Sequence, residues 1–226
     1  MSKILIVPDV HGRSFWHKAE ELVNDVDKIV FLGDYLDPYG YEGITFDMAL
    51  EEFEKILEFK DKYNDKVVLL IGNHDCHYIS TSFMDCSRLN YSKRQDIHEL
   101  YMKHIDKFNL VWECDKWLFS HAGVHQEWME LCQFTIDDLK DFKTFREENF
   151  PSLACLSFYR GGYHAVGSCV WADIRESIKH ELLEGYHHIV GHTQLEANPY
   201  RDKNITCVDV RRCFILDTET EEIKDA

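Results

Sequence analysis

The stretch "LLIGNHDCHY", residues 69–78, sets two kinds of chemistry side by side. Leu69, Leu70 and Ile71 form a continuous apolar run of the kind found in a strand buried on both faces. After one glycine, Gly72, come Asn73, His74 and Asp75, whose polar groups each need a partner. A buried strand that opens directly into amide, imidazole and carboxylate predicts a sheet whose end faces a polar site.

The same transition recurs along the chain. "VPDVHG" (7–12), "LGDYLD" (32–37), "FSHAG" (119–123) and "VGHT" (190–193) also follow β-rich runs. The expected strands are residues 3–7, 28–32, 66–71, 108–112, 116–120, 187–190, 205–209 and 213–216. Phe46, Leu50, Phe53 and Leu57 recur at spacings of 4, 3 and 4, which predicts an amphipathic helix over 46–62. Weaker patterns predict helices over 15–24, 93–106, 135–148 and 175–184. Strands alternating with helices predict an α/β layered fold. Loops beyond the carboxyl ends of such strands converge on one crevice, so the five polar loops are expected to share one site.

Composition bounds the rest. The chain has 226 residues, 45% of them hydrophobic and 29% charged, with 4 Pro and no low-complexity tract, as in an ordered globular protein. A single domain over 1–226 is expected. "ILIV" at 4–7 is too short to cross a bilayer, and neither a longer apolar segment nor a signal-peptide core appears. A cytoplasmic protein without a membrane partner is the expectation. The 8 cysteines contain no C-x-x-C pair and are expected to be reduced. A net charge of −16 without a basic patch would repel a nucleic-acid duplex.

The polar loops deliver Asp9, His11, Asp34, Asp37, Asn73, His74, His121 and His192. Carboxylates and imidazoles ligate borderline divalent metals, and this set suffices for two ions that share one carboxylate. Two ions about 3.5–4 Å apart clamp the attacking and leaving oxygens of a phosphoryl displacement and bring the pKa of a bound water to about 7. Metal-assisted phosphoester hydrolysis is the reaction that uses such a set.

The order D-x-H-G, G-D-x-x-D, G-N-H-[DE], H-A-G and G-H-T resembles the calcineurin-like metallophosphoesterase superfamily over residues 4 to about 216. The resemblance implies a pair of β-sheets flanked by helices, a four-layer αββα arrangement. It implies that Asp9 and His11 hold one ion, that Asp34 bridges, and that Asn73, His121 and His192 complete the second. The ions would be manganese, with iron or zinc as alternatives. It further implies His74 as the general acid, oriented by Asp37, and Asn73 beside the substrate.

Two departures bear on the substrate. Gln194 follows "GHT" where many phosphodiesterases of the superfamily have a second histidine, so the motif resembles the phosphoprotein phosphatase branch and the related bacterial diadenosine tetraphosphatases. That branch usually continues its second motif as D-R-G, whereas this chain reads Asp37-Pro38-Tyr39-Gly40 and lacks the arginine. Arg160, ahead of two glycines in "YRGGYHAVGSCVWAD" (159–173), and Arg13 are the candidates to bind phosphate instead. His17, His77, His98, His104, His125, His164, His180, His187 and His188 match no motif and are expected to be ordinary core or surface histidines.

The expected function is therefore a phosphomonoesterase for a phosphoprotein or a small phosphorylated metabolite. The enzymatic alternatives are hydrolysis of a nucleotide pyrophosphate or of a phosphodiester. The non-enzymatic alternative, a metal-binding docking protein, needs neither His74 nor Asp37, and both are present.

Overall fold

In the computed structural model, which describes residues 2–226, strand alternation sets the layering. Strands β1 (Lys3–Val7), β2 (Lys28–Phe31) and β3 (Val67–Leu70) run parallel in a six-stranded sheet. At one edge lies β4 (Phe108–Asn109); at the other lie β10 (Phe214–Asp217) and β11 (Glu222–Asp225). The second sheet contains β5 (Val111–Cys114), β6 (Trp117–Ser120), β7 (His187–Val190), β8 (Tyr200–Asp202) and β9 (Ile205–Cys207), in the order β5-β6-β7-β9-β8. Within it β6, β7 and β9 are parallel.

Successive side chains of the first sheet point to opposite faces. Leu5, Val7, Ile29, Phe31, Val67 and Leu69 pack in one core with Phe53 and Ile56 of helix α2 (Phe46–Tyr63). Ile4, Ile6, Val30, Val68 and Leu70 pack instead with Trp117, Phe119 and Ile189 of the second sheet. Both faces are thus covered, which is why these strands read as unbroken apolar runs. Helix α2 follows its predicted periodicity, and Thr45 caps it by accepting a hydrogen bond from Met48 N at 3.2 Å.

Four expectations are corrected. The single strand expected over 108–112 is two strands in different sheets, because the chain crosses between sheets at Leu110, whose N–H donates to Leu139 O at 3.1 Å. Residues 175–184 form only a 3-10 turn at Glu176–Ile178, since the Glu176 carboxylate turns inward to accept from the N–H groups of Gly167 and Asp173, both at 2.8 Å. The strand expected over 205–209 stops at Cys207. "NHDCHYI" is not a loop but helix α3 (Asn73–Ile79), which starts at its first polar residue.

The weaker helical patterns shorten to α1 (Lys18–Leu22), α4 (Arg94–Lys103) and α6 (Phe142–Asn149). Helix α5 (Gln126–Cys132) and strands β8 and β11 lack a clear periodic signal in the sequence. No helix among the described residues is long and apolar enough to cross a membrane.

Candidate metal and catalytic site

Parallel strand ends bring the polar residues together. Asp9 lies two residues beyond Val7, His192 two beyond Val190, and Asp34 three beyond Phe31, while His121 directly follows β6. His11, Asp34, Asp37 and His192 have φ values of 45°, 54°, 60° and 62°, in the left-handed region that L-residues seldom occupy. Such strain persists only where neighbours over-determine the backbone. Here His11 N donates to Asp34 O at 2.7 Å and Gly12 N to Tyr35 O at 3.0 Å, locking the first two loops together.

Asp75, which the sequence reading left without a role, organises the same region. Its carboxylate accepts from Gly72 N at 2.7 Å, Asp34 N at 2.8 Å, Tyr35 N at 3.1 Å and the Tyr101 hydroxyl at 2.7 Å. Two glycines are sterically required: a Cβ on Gly72 would strike Asp34 Oδ1, and one on Gly191 would strike Asp9 Oδ1.

Besides a group of Asp37, His74 and His77, two donor groups form, each with ligand atoms within 4.8 Å of one another: Asp9, His11 and Asp34, and Asp34, His121 and His192. Asp34 belongs to both. His11 Nδ1 donates to Leu36 O at 2.7 Å and His121 Nδ1 to Leu32 O at 2.8 Å, so each ring turns its Nε2 towards Asp34, at 3.5 and 3.6 Å. His121 Nε2 also lies 3.0 Å from Asn73 Oδ1 and 3.1 Å from His192 Nδ1, so the polar atoms of three loops converge there. His192 Nε2 is buried without a hydrogen-bond partner.

The electrostatics agree. Burial, followed by the charge of Asp209, pushes the Asp9 carboxyl well above its usual range, and burial with Asp75 does the same to Asp34. Burial lowers His11 and His192, aided by His74 and Arg160 respectively. Converging lone pairs and crowded carboxylates are relieved by a cation placed among them, so these residues fit divalent metal ions.

Beside this cluster, His74 Nδ1 donates to Asp37 Oδ2 at 2.7 Å, and the Tyr78 hydroxyl donates to Oδ1. Burial acts to raise Asp37, but its hydrogen bonds from His74 and His77 outweigh this and hold its carboxyl below the usual range. Burial lowers His74 to about 4.

A cavity of about 210 Å³ opens onto the assembly and is lined by Asp9, His11, Asp34, Asn73, His74 and His192 together with Arg160. A larger hollow of about 820 Å³ near Lys116 and His187 has no convergent donor set, so size does not mark the site. Arg160 reaches the cavity while its Nε lies 2.9 Å from Asp173 Oδ2 and its Nη2 donates to Thr193 Oγ1 at 2.6 Å. Arg13 does not line it; its guanidinium is paired with Glu42 at 2.8 and 3.2 Å, and its Nη1 donates to Asp9 O at 3.3 Å.

Three residues at the site escaped the sequence reading. Asp209 lies two residues beyond β9, in the position that Asp9 and His192 hold after their strands, and burial pushes it up to about 6. Reading the strand through to 209 hid it. His77, expected to be ordinary, is fully buried with Nε2 at 2.8 Å from Asp37 Oδ2; its offset of three residues from His74 on one helix was the available signal. Arg88 lines the cavity from the loop after α3 and belongs to no motif.

The comparisons with known proteins align with this geometry. The family model described as Calcineurin-like phosphoesterase matches residues 2–203. The chain is 25% identical over 158 residues to the serine/threonine-protein phosphatase 2B catalytic subunit A2 of Saccharomyces cerevisiae, an alignment covering 67% of this chain and 24% of that one. It thus spans about a quarter of that relative's length. In fold it is similar to a cold-active protein-tyrosine phosphatase of a Shewanella species, with a TM-score of 0.67 and 17% identity, covering 100% of this chain and 80% of that one. A protein serine/threonine phosphatase of Saccharomyces cerevisiae gives a TM-score of 0.59 and 14% identity with the same two coverages.

Proposed function

This chain belongs to the calcineurin-like phosphoesterase family and is a metal-dependent hydrolase of phosphoester bonds; on that premise we propose that it is a dinuclear phosphomonoesterase. The observation that carries the proposal is Asp34, which offers its carboxylate to both donor groups. Asp9, His11 and Asp34 would hold one divalent ion, and Asp34, Asn73, His121 and His192 the other, with manganese expected and iron or zinc compatible with the donors. When bound, such a pair supplies an activated nucleophile at neutral pH and compensates charge on the phosphoryl oxygens.

The chain's own residues do the rest. His74 presents Nε2 to the cavity, where it would give a proton to the leaving oxygen. Asp37 holds the ring through Nδ1 and, opposing the burial that lowers His74, would stabilise the imidazolium that this transfer requires. Arg160, on the cavity wall, would donate to a phosphate oxygen, and the Asn73 amide lies beside the same space.

The likeness to a serine/threonine-protein phosphatase supports a phosphoprotein or a small phosphomonoester as substrate. The test is a panel of p-nitrophenyl phosphate, its bis ester, a phosphopeptide and diadenosine tetraphosphate, each with Mn²⁺ and after chelation. The monoesters should be turned over fastest, and only with metal. Faster cleavage of the bis ester or dinucleotide would instead favour the phosphodiesterase or pyrophosphohydrolase reading. Absence of chelator-sensitive turnover on every substrate would refute hydrolysis here.

A further inference from the structure

We propose that Arg88 is the guanidinium that receives the substrate's phosphate, taking over from the arginine absent after Asp37; this deepens the phosphoesterase reading above and rests on it. Arg88 comes from the loop between α3 and α4, remote in sequence from the G-D-x-x-D motif, and lines the same cavity as Asp34, Asn73 and His74. The fold brings it to the place the motif leaves without a cation. Its guanidinium lies over the Tyr39 ring, 3.8 Å from the centroid, and its Nε donates to Asp37 O at 2.8 Å. The Asp37-Pro38-Tyr39 segment, which carries no arginine of its own, thus supports an arginine from another loop.

The remaining contacts leave a usable edge. Nη1 donates to Ser87 Oγ at 3.1 Å, and Nη2 lies 3.4 Å from His74 Nε2. A guanidinium has five N–H groups; Nε and Nη1 each use one, so at least one stays free on each terminal nitrogen. Two such parallel donors match two oxygens of a phosphate.

Charge balance separates Arg88 from its neighbours. Arg13 is paired with Glu42, and Arg160 with Asp173. Among the described residues no carboxylate lies within ion-pair distance of Arg88, so its charge is left available to an anion in the cavity. The stack on Tyr39 and the tether to Asp37 O hold the group in place before the ligand arrives, which lowers the entropic cost of binding. The backbone of Arg88 is itself at φ 68°, an unfavourable conformation kept at the edge of the site. A monoester carries more charge and more free oxygens than a diester, so such a donor favours the monoester.

The test uses the full chain loaded with Mn²⁺ and compares the parent with Arg88→Ala and Arg88→Lys. The readouts are kcat/KM on p-nitrophenyl phosphate and on its bis ester, inhibition by inorganic phosphate, and bound manganese. Arg88→Ala should lower kcat/KM on the monoester by roughly 10–1,000-fold and weaken phosphate inhibition by about 10-fold or more, at unchanged metal content. The loss on the bis ester should be several-fold smaller. Arg88→Lys should recover only part of both losses, because an ammonium lacks the fork.

Phosphate inhibition equal to the parent's in Arg88→Ala, even with slower turnover, would make Arg88 a clamp on the Asp37 loop and overturn the proposal. If the alanine variant does not fold, Arg88→Lys with undiminished phosphate inhibition overturns it equally. A parent without chelator-sensitive activity on either ester would refute the phosphoesterase reading itself, whereas an active parent with an indifferent Arg88→Ala refutes only the role given to Arg88.

Discussion

His77 Nε2 lies 2.8 Å from Asp37 Oδ2, the same oxygen to which His74 Nδ1 donates at 2.7 Å. The tautomer of His77 is set from its other side, where Nδ1 accepts from Cys86 N at 3.1 Å, so Nε2 carries the proton. One carboxylate oxygen is thus shared by a histidine on the cavity and a histidine in the core. Although Nε2 of His77 meets that oxygen at 2.8 Å without hydrogen-bond geometry, it draws on the same charge and weakens the hold of Asp37 on His74. His77→Leu should strengthen that hold and make His74 more basic. Because a general acid is lost as pH rises through its pKa, the alkaline limb of the kcat profile should move up by roughly half to one pH unit. An unmoved limb at normal metal content would show that His77 only packs.

Asp34→Asn should abolish turnover and lower the metal content. A neutral amide bridges two cations poorly, and Asp34 is the one carboxylate common to both donor groups. Metal analysis of the purified variant decides the matter. Two tightly held ions per chain with normal turnover would remove the bridging role.

His74→Asn should keep the ions and slow hydrolysis by about 10²–10⁴-fold, the usual contribution of a general acid. The deficit should be smaller for p-nitrophenyl phosphate than for a phosphoserine peptide, since p-nitrophenolate leaves without much protonation. Equal deficits on both substrates would argue against His74 as the acid.

Arg160→Ala should lower kcat/KM by roughly 10–1,000-fold without metal loss. Asp173, whose carboxylate Arg160 Nε approaches at 2.9 Å, should matter through that arginine. Asp173→Asn is expected to raise KM more than it lowers kcat, and adding it to Arg160→Ala should cost little more activity. Additive losses in the double variant would mean that the two residues act separately.

His188 is fully buried in β7, and burial lowers its pKa to about 4. A histidine held neutral in the fold is protonated more readily when the chain unfolds. Between about pH 6.5 and 4 the unfolded state therefore binds the extra proton, and stability is lost as pH falls. A gap of that size corresponds to about 3 kcal/mol at most. Denaturant unfolding of the parent and of His188→Gln should converge in stability as the pH drops through this window, since glutamine does not titrate. A constant difference from pH 7 to 4 would show that the ring is not neutral in the fold.

The amino-acid sequence alone determined the central strands and the candidate donor set, because both are local signals. Runs such as KILIV and VVLLI are apolar since both faces of their sheet are covered, and each donor follows its strand within four residues, as Asp9 follows Val7 and His192 follows Val190. Short motifs suffice where a strand end, a turn and a ligand occupy a few consecutive positions. Tertiary structure alone decided which donors share Asp34, where the chain crosses sheets at Leu110, and which arginine lacks a counter-ion. Arg13 and Arg88 have the same side chain and both lie over Tyr39, but Glu42 lies beside one, while the other faces the cavity without a carboxylate partner. Asp37 and His77 are 40 positions apart, and no pattern along the chain announces that one oxygen joins them. Charge compensation and hydrogen-bond sharing depend on distance in space, and folding sets that distance between loops that the sequence keeps apart.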